Sequence, residues 1–280
     1  MKSEVKEKPI QELLKFSIIN LDKPTGPTSF TVSHFVKNLL SLNKTSHFGT
    51  LDPQVTGVLP IGLSRACRLN EYFIHSDKVY VGIMRLHKEI SKEDLIKEMG
   101  KFTGVISQLP PVRSRVKREL REREIKSFEI LEIEGKDVLF KTAVQAGTYI
   151  RKLISDMGDK IGGAHMLELR RTRASVFPEE ESVNLYDLVK AVESYKKGSD
   201  VLLRKMLIPA EEAIPKVLPS VQINPLSLKQ LLTGKPLMKQ DIGQEIKADK
   251  FALFHQDRLI GIYRKAKEKD IIARPEFIFN

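Results

Sequence analysis

The spacing of apolar positions changes repeatedly along the chain. Residues 1–15 mix charges without a dependable helical period and read as an N-terminal arm. FSIINLDKP follows as a short apolar strand, and Pro24, Gly26 and Pro27 mark a turn. Ser29 then stands where it can cap a helix with Val32, Phe35, Val36, Leu39 and Leu40 on one face. Strand-like segments fill 58–86, where Val79, Val81 and Ile83 alternate in DKVYVGIMRL. Residues 91–100 predict a helix, and KSFEILEIEGKDVLFKTAVQAG, 126–147, predicts a hairpin through a Gly-containing turn. Thr148 is placed to cap a helix bearing Ile150, Leu153, Ile154 and Met157, which Gly162 and Gly163 close. Asn184 caps another in NLYDLVKAVESYKK. Strands dominate without a regular βαβ rhythm, so the expected class is α+β with a mainly antiparallel mixed sheet. Past Pro209, Pro215 and Pro219 come a short helix, PLSLKQLLTG, and short strands such as FALFHQDRLIGIYRK. The division expected is an arm over 1–15, a large domain over 16–215 and a small β-rich domain over 216–280.

Charge narrows the partners. Lys plus Arg number 47 against 36 Asp plus Glu, a formal net charge of +11, which favours a polyanion. The cations gather at Arg113, Arg115, Lys117, Arg118, Arg121 and Arg123, and again at Arg170, Arg171 and Arg173 in LRRTR. Glu119, Glu122 and Glu124 make a solvated, self-compensated face an equal reading of the first group. Two such groups in one basic chain favour RNA or DNA, because each neutralised phosphate releases counterions. The single cysteine, Cys67, excludes an internal disulfide framework and a thiolate zinc cluster within the chain, and no metal site is expected. No apolar run reaches the roughly 18 to 20 residues of a membrane helix. The first residues alternate charge where a secretion signal is apolar, so a cytoplasmic protein with no membrane partner is expected.

The chemistry centres on HFGTLDPQVTG. Asp52, between Gly49 and Pro53, reads either as a turn residue bonding its own backbone or as a carboxylate held rigidly at a loop tip, as a nucleophile requires. By spacing alone Arg151 reads as a helix-surface cation, His47 as a hydrogen-bonded histidine, Tyr80 and Tyr149 as half-buried strand residues. Taken singly, these residues do not assemble a site.

Five ordered segments carry a resemblance: INLDKPTGPTS, HFGTLDPQVTGVLP, DKVY, GTYIRKLISDMG and GGAHMLELRRTR. In order and spacing they resemble the TruB/dyskerin family of RNA pseudouridine synthases over residues 16–177. FTGVISQLPPVRSRVKRE is similar to the archaeal, H/ACA-type branch, and residues 216–280 resemble, more weakly, a PUA domain, a small β-rich RNA-binding module. The resemblance implies that Asp52 is the catalytic aspartate, that Tyr80 stacks on the target base and is a candidate for taking the C5 proton, and that Arg151 pairs with Asp52. It places His47, Tyr149, Leu169 and Lys23 around the substrate. The cations Arg113, Arg115, Lys117, Arg118, Arg170, Arg171 and Arg173 are the expected RNA contacts. Two departures stand out: Phe48 occupies a position where many relatives have a small residue, and RASVF replaces a Gly-containing sequence after LRRTR.

The implied reaction breaks the N1 to C1′ bond of uridine and joins C5 to C1′, an isomerisation that needs no cofactor. MRLHKEISKEDLIKEMGKFTG passes directly from strand to helix, without the RNA-gripping insertion of stand-alone bacterial relatives. The resemblance therefore implies a guide RNA of the H/ACA type that presents target RNA, together with small partner proteins of that particle. A guide-independent enzyme acting on the tRNA T-loop and a non-catalytic RNA scaffold are the alternatives. A glycosidase is more remote, because no second carboxylate is evident as its acid partner.

Overall fold

The structure is a computed structural model that describes residues 8–110, 116–268 and 270–279. Arg113 and Arg115 therefore lie outside the described residues. The chain separates into two compact units, Met1–Leu207 and Ile208–Asn280. This boundary precedes the proline-based one at 215/216, because the short helical pieces Ala210–Ala213 and Ile214–Lys216 go with the second unit.

The first unit opens on α1 (Ile10–Lys15), β1 (Ser17–Lys23), α2 (Ser29–Leu39), β2 (Thr45–His47) and β3 (Thr56–Leu63). Next come α3 (Asn70–Ile74), β4 (Lys78–Leu86), α4 (Lys92–Lys101), β5 (Gly104–Gln108), β6 (Arg121–Glu134) and β7 (Asp137–Val144). It ends with α5 (Ile150–Gly158), β8 (Ala164–Ala174), β9 (Phe177–Pro178), β10 (Val183–Asn184), α6 (Leu185–Lys196) and α7 (Val201–Met206). The segment expected to be an arm thus contains α1. Ile10, Leu13 and Leu14 recur at i, i+3 and i+4, and all three are buried in the main core.

The main sheet runs β10-β1-β3-β8-β4-β7-β6-β5. Its pairs are antiparallel except β1 with β10 and β3 with β8. The β3/β8 contact is brief, Thr56 opposite Arg170 and Gly57 opposite Arg171, yet it joins segments more than a hundred residues apart. Registers on either side extend it into one lateral row: Lys23 opposite Gly57, Gly57 opposite Arg171, and Arg171 opposite Tyr80. Four of the five motif segments thereby lie in one row across adjacent strands.

Several helix and strand details differ from the sequence reading. Thr28, not Ser29, caps α2 by accepting from the Thr31 amide at 3.0 Å, and Phe35 is exposed. The Thr148 hydroxyl donates to the Gln145 carbonyl instead of capping α5. In β4 the period of two holds, but Tyr80, Met84 and Leu86 face the core cluster while Val81 and Ile83 are half-buried. The helix expected over 91–100 is α4, which Ser91 caps, Asn184 caps α6 as expected, and β6 and β7 form the expected hairpin. The α5 face of Ile150, Leu153, Ile154 and Met157 is at most 4% exposed, each side chain contributing roughly 1.5–3 kcal/mol by burial.

The second unit holds a five-stranded sheet ordered Ser220–Gln222, Lys250–His255, Arg258–Lys265, Ile271–Ile278, Leu237–Met238. Val221, Leu231, Leu237, Phe251, Leu253, Ile260 and Tyr263 fill its core. The buried Asp241 carboxylate is satisfied by Ser227, Gln230 and the Met238 amide at 2.6, 2.9 and 2.8 Å.

Candidate active site in the first unit

The chain between β2 and β3 carries Asp52 and has no regular secondary structure of its own, so side chains hold it. At its start Phe48 is buried and stacked on Phe73 at 5.3 Å between centroids, which anchors the residue next to His47. The bulk of Phe48 is thus spent inside the protein. Further along, the Ser29 hydroxyl both donates to the Leu51 carbonyl and accepts from the Leu51 amide, at 2.9 and 2.8 Å. Beyond the tip, the ammonium of Lys23 donates to the Pro53 and Val55 carbonyls at 3.0 and 2.9 Å and to Pro24 at 2.8 Å.

Lys23 is fully enclosed, and burial lowers its basicity while the Asp52 charge partly restores it. It therefore supports the loop from inside and presents no surface to a substrate, which corrects its expected place among substrate contacts. Arg171 is corrected in the same way. It is 1% exposed and donates through Nε to the Val58 carbonyl at 2.8 Å and through Nη2 to Gly49 at 3.0 Å. Arg170 points the other way, as the next residue on a strand must, and is engaged with Asp22 at 2.9 and 3.0 Å and Glu179 at 2.8 Å. Arg171 is thus closed to phosphate, and Arg170 is already paired with two carboxylates. Arg173, Lys117 and Arg118 are exposed, Lys117 with Glu119 at 2.9 Å.

The Asp52 carboxylate does not turn back on its own backbone. It receives Nη2 of Arg151, on the first turn of α5, at 2.5 Å. The two side chains are 50% and 56% exposed, so the pair contributes little stability. What the arrangement provides is a fixed anion beside a fixed guanidinium. The start of α5 is itself held by a residue that sequence reasoning missed. Gln108, at the end of β5 and 2% exposed, accepts from the Tyr149 amide at 3.0 Å and donates to the Tyr149 carbonyl at 3.2 Å. An amide in ISQLPP carries no sequence signal of that role beyond its place at a strand end.

Asp52, Arg151, Tyr149, Tyr80 and Leu169 line one recess of about 90 Å³ together with Thr50. Tyr80 and Leu169, 9% and 8% exposed, form its apolar part. His47 lies one contact back, its Nε2 3.1 Å from the Thr50 hydroxyl, and its basicity is lowered by burial and then by the nearby Arg171 charge. Lys78, also unforeseen, is a third enclosed cation. It donates to the Ile74 and Ser76 carbonyls, and burial together with Arg171 pushes its pKa down to about 8. Chemically the recess offers a carboxylate for nucleophilic or electrostatic work, a guanidinium to hold it, and an aromatic surface for a planar group. Among the described residues no group of three or more His, Cys, Asp or Glu is arranged to hold a metal ion. No helix among them is long and apolar enough to cross a membrane.

Comparisons with known proteins show the family. The TruB family pseudouridylate synthase N-terminal domain matches residues 37–150, and the tRNA pseudouridylate synthase B C-terminal domain matches 151–215. A probable tRNA pseudouridine synthase B of Methanopyrus kandleri is 46% identical over 233 residues, 82% of this chain and 69% of that one. Its counterpart in Nanoarchaeum equitans is 49% identical over 209 residues, 74% of this chain; the match spans only 60% of the relative's length. Among solved structures, a chain of a Cbf5-Nop10-Gar1 complex matches with a TM-score of 0.90 and 39% identity, covering 98% of this chain and 88% of that one. One from an H/ACA RNP bound to a substrate RNA containing 2′-deoxyuridine matches at 0.88 and 37%, with the same coverage. With its ordered motifs meeting around one carboxylate and these relatives matched along most of its length, the chain belongs to the TruB family of RNA pseudouridine synthases.

Proposed function

We propose that this pseudouridine synthase is the catalytic subunit of a guide-RNA ribonucleoprotein of the H/ACA type, isomerising uridines in rRNA and in tRNA in the cytoplasm. The observation that carries the proposal is the likeness over 98% of the chain to the subunit of a Cbf5-Nop10-Gar1 complex. The further likeness to a chain of an H/ACA RNP bound to substrate RNA supports RNA as the substrate. In this reading small proteins of the particle dock on the first unit. A guide RNA rests on exposed cations such as Lys117, Arg118 and Arg173 and on the second unit acting as a PUA domain, and base pairing selects the target.

At the recess, the Asp52 carboxylate acts at the sugar or the base while the N1 to C1′ bond breaks and the C5 to C1′ bond forms. The hydrogen on C5 leaves as a proton, and N1 gains one, so atoms balance without a cofactor. Arg151 holds the carboxylate in place at the recess. Tyr80 stacks on the flipped uracil and is the group placed to take the C5 proton, while Tyr149, Leu169 and His47 confine the nucleotide. Removing a base from its stack costs a few kcal/mol, and one aromatic stack returns about 1–3 kcal/mol.

A second reading, a guide-independent tRNA synthase, is favoured by the names of the curated relatives. Tritium release from C5-labelled uridine RNA separates them. Release that requires guide RNA and partner proteins, and that Asp52→Ala abolishes, is the expected result. Full release from bare tRNA by the chain alone supports the second reading, and absence of release under every condition leaves a non-catalytic scaffold.

A further inference from the structure

We propose that Arg171 is a positioning residue for the Asp52 loop: its guanidinium closes the neck of the loop from within and so fixes where the carboxylate meets Arg151. The side chain is 1% exposed and is the largest fully buried one in the described chain. Its two bonded acceptors are main-chain carbonyls on opposite legs of the loop, Gly49 on the way out and Val58 on the way back. Among the described residues no carboxylate is bonded to it. Its own backbone lies against Gly57, where an added Cβ would come within 2.2 Å of the Arg171 carbonyl oxygen.

Burying a guanidinium without a counter-anion costs several kcal/mol, and an apolar side chain would fill the same space at less cost. The group remains inside because two donors in a fixed fork can tie two separate carbonyls at once. A lysine has the charge without that planar geometry, and a methionine has the volume without either. At its base the loop is also tied by the Phe48 amide, which donates to the Pro60 carbonyl at 2.8 Å, and nearer its tip by Ser29 at Leu51 and Lys23 at Pro53 and Val55. Arg171 instead joins the residue that opens the loop to the strand that leaves it. Releasing it removes the side-chain ties at Gly49 and Val58 together, leaving the Gly49 leg held only from Phe48 at its base and Leu51 beyond, and lets Asp52 drift from a partner that it meets at 2.5 Å. A displacement near 1 Å at a reacting group can cost about a hundredfold in rate.

The inference rests on Asp52 as the reacting carboxylate and not on guide dependence. Arg171→Lys, assembled with whatever RNA and partners the wild type requires, is compared for single-turnover pseudouridine formation, RNA affinity, and amide exchange of peptides covering 48–58, α5 and the second unit. The expected result is a rate lower by about 30-fold or more, an RNA Kd within about threefold of wild type, and faster exchange confined to 48–58. A weaker RNA Kd with an unchanged rate would make Arg171 an RNA contact and overturn the proposal, as would unchanged exchange in 48–58 or a rise spread equally over all peptides. Should the variant not fold, the wild type decides: in an arginine-labelled sample the Arg171 Nε–H must exchange far more slowly than that of exposed Arg173, and equal exchange refutes the clamp. Asp52→Ala separates the two ideas, since turnover that survives it removes Asp52 from the chemistry while the exchange data still judge Arg171.

Discussion

Gly57→Ala tests how the sheet brings the motifs together. At Gly57 the backbone has φ +100°, a region that alanine enters only with strain, at a cost of about 1–3 kcal/mol. The new Cβ would also stand 2.2 Å from the Arg171 oxygen, 2.9 Å from its nitrogen and 3.0 Å from its carbonyl carbon. All three are main-chain atoms, so no side chain can swing aside, and β3 must separate from β8 at their short parallel contact. Overpacking of this kind adds about 1–3 kcal/mol. Gly26→Ala supplies the control, because Gly26 has φ +106° but nothing within 4 Å of the added carbon, leaving the conformational part alone. The two variants should therefore differ by about 1–3 kcal/mol, all of it steric. Urea unfolding followed by far-ultraviolet circular dichroism reads this. With a slope of about 2 kcal/mol/M, the midpoint of the first unit for Gly57→Ala should fall roughly 0.5–1.5 M below that for Gly26→Ala. Midpoints that coincide would refute the close approach and with it the lateral row from Lys23 to Tyr80.

Other expectations follow from the same contacts. Arg151→Ala should shift the unfolding free energy by no more than about 1 kcal/mol, since the pair is half exposed, while lowering turnover by about a hundredfold; calorimetry and tritium release measure the two separately. Gln108→Ala removes two hydrogen bonds at Tyr149, whose carbonyl keeps the Leu153 amide, and should cost about 1–3 kcal/mol in urea unfolding, with a lower rate because α5 loses its anchored start. Lys78 gives a pH signature. Its pKa is near 8 in the folded chain against 10.5 unfolded, so between those values the unfolded chain binds more protons and the wild type gains stability as pH rises. That gain, about 3 kcal/mol at most between pH 8 and 10.5, should be missing in Lys78→Met when both are unfolded in urea across that range.

Much of this architecture was legible in local patterns: the β6/β7 hairpin from its alternation and Gly135, the α5 apolar face from its period, the Asn184 cap from its residue type. Asp52 and Arg151 were legible only through the ordered motifs, because a contact spanning 99 residues leaves no trace in either segment. Charge counting failed at LRRTR for a physical reason. It treats neighbouring arginines as equivalent, whereas strand geometry sends Arg170 toward Asp22 and Glu179 and Arg171 into the interior. Lys23 was misplaced likewise, since no pattern distinguishes a lysine that reaches outward from one that ends on three carbonyls. In α1 three apolar residues in a six-residue helix are too few for periodicity to register, and only the core they meet makes them helical.

The brief parallel contact between β3 and β8 also governs when the protein becomes competent during synthesis. As the nascent chain leaves the ribosome, residue 52 emerges long before its guanidinium partner in α5, and Gly57 waits still longer for the strand it must lie against. Distant pairings of this kind are slow to close. A prematurely terminated polypeptide ending before residue 164 would carry the nucleophile candidate on a loop lacking its Arg171 ties, so translation must pass β8 before any of it can work.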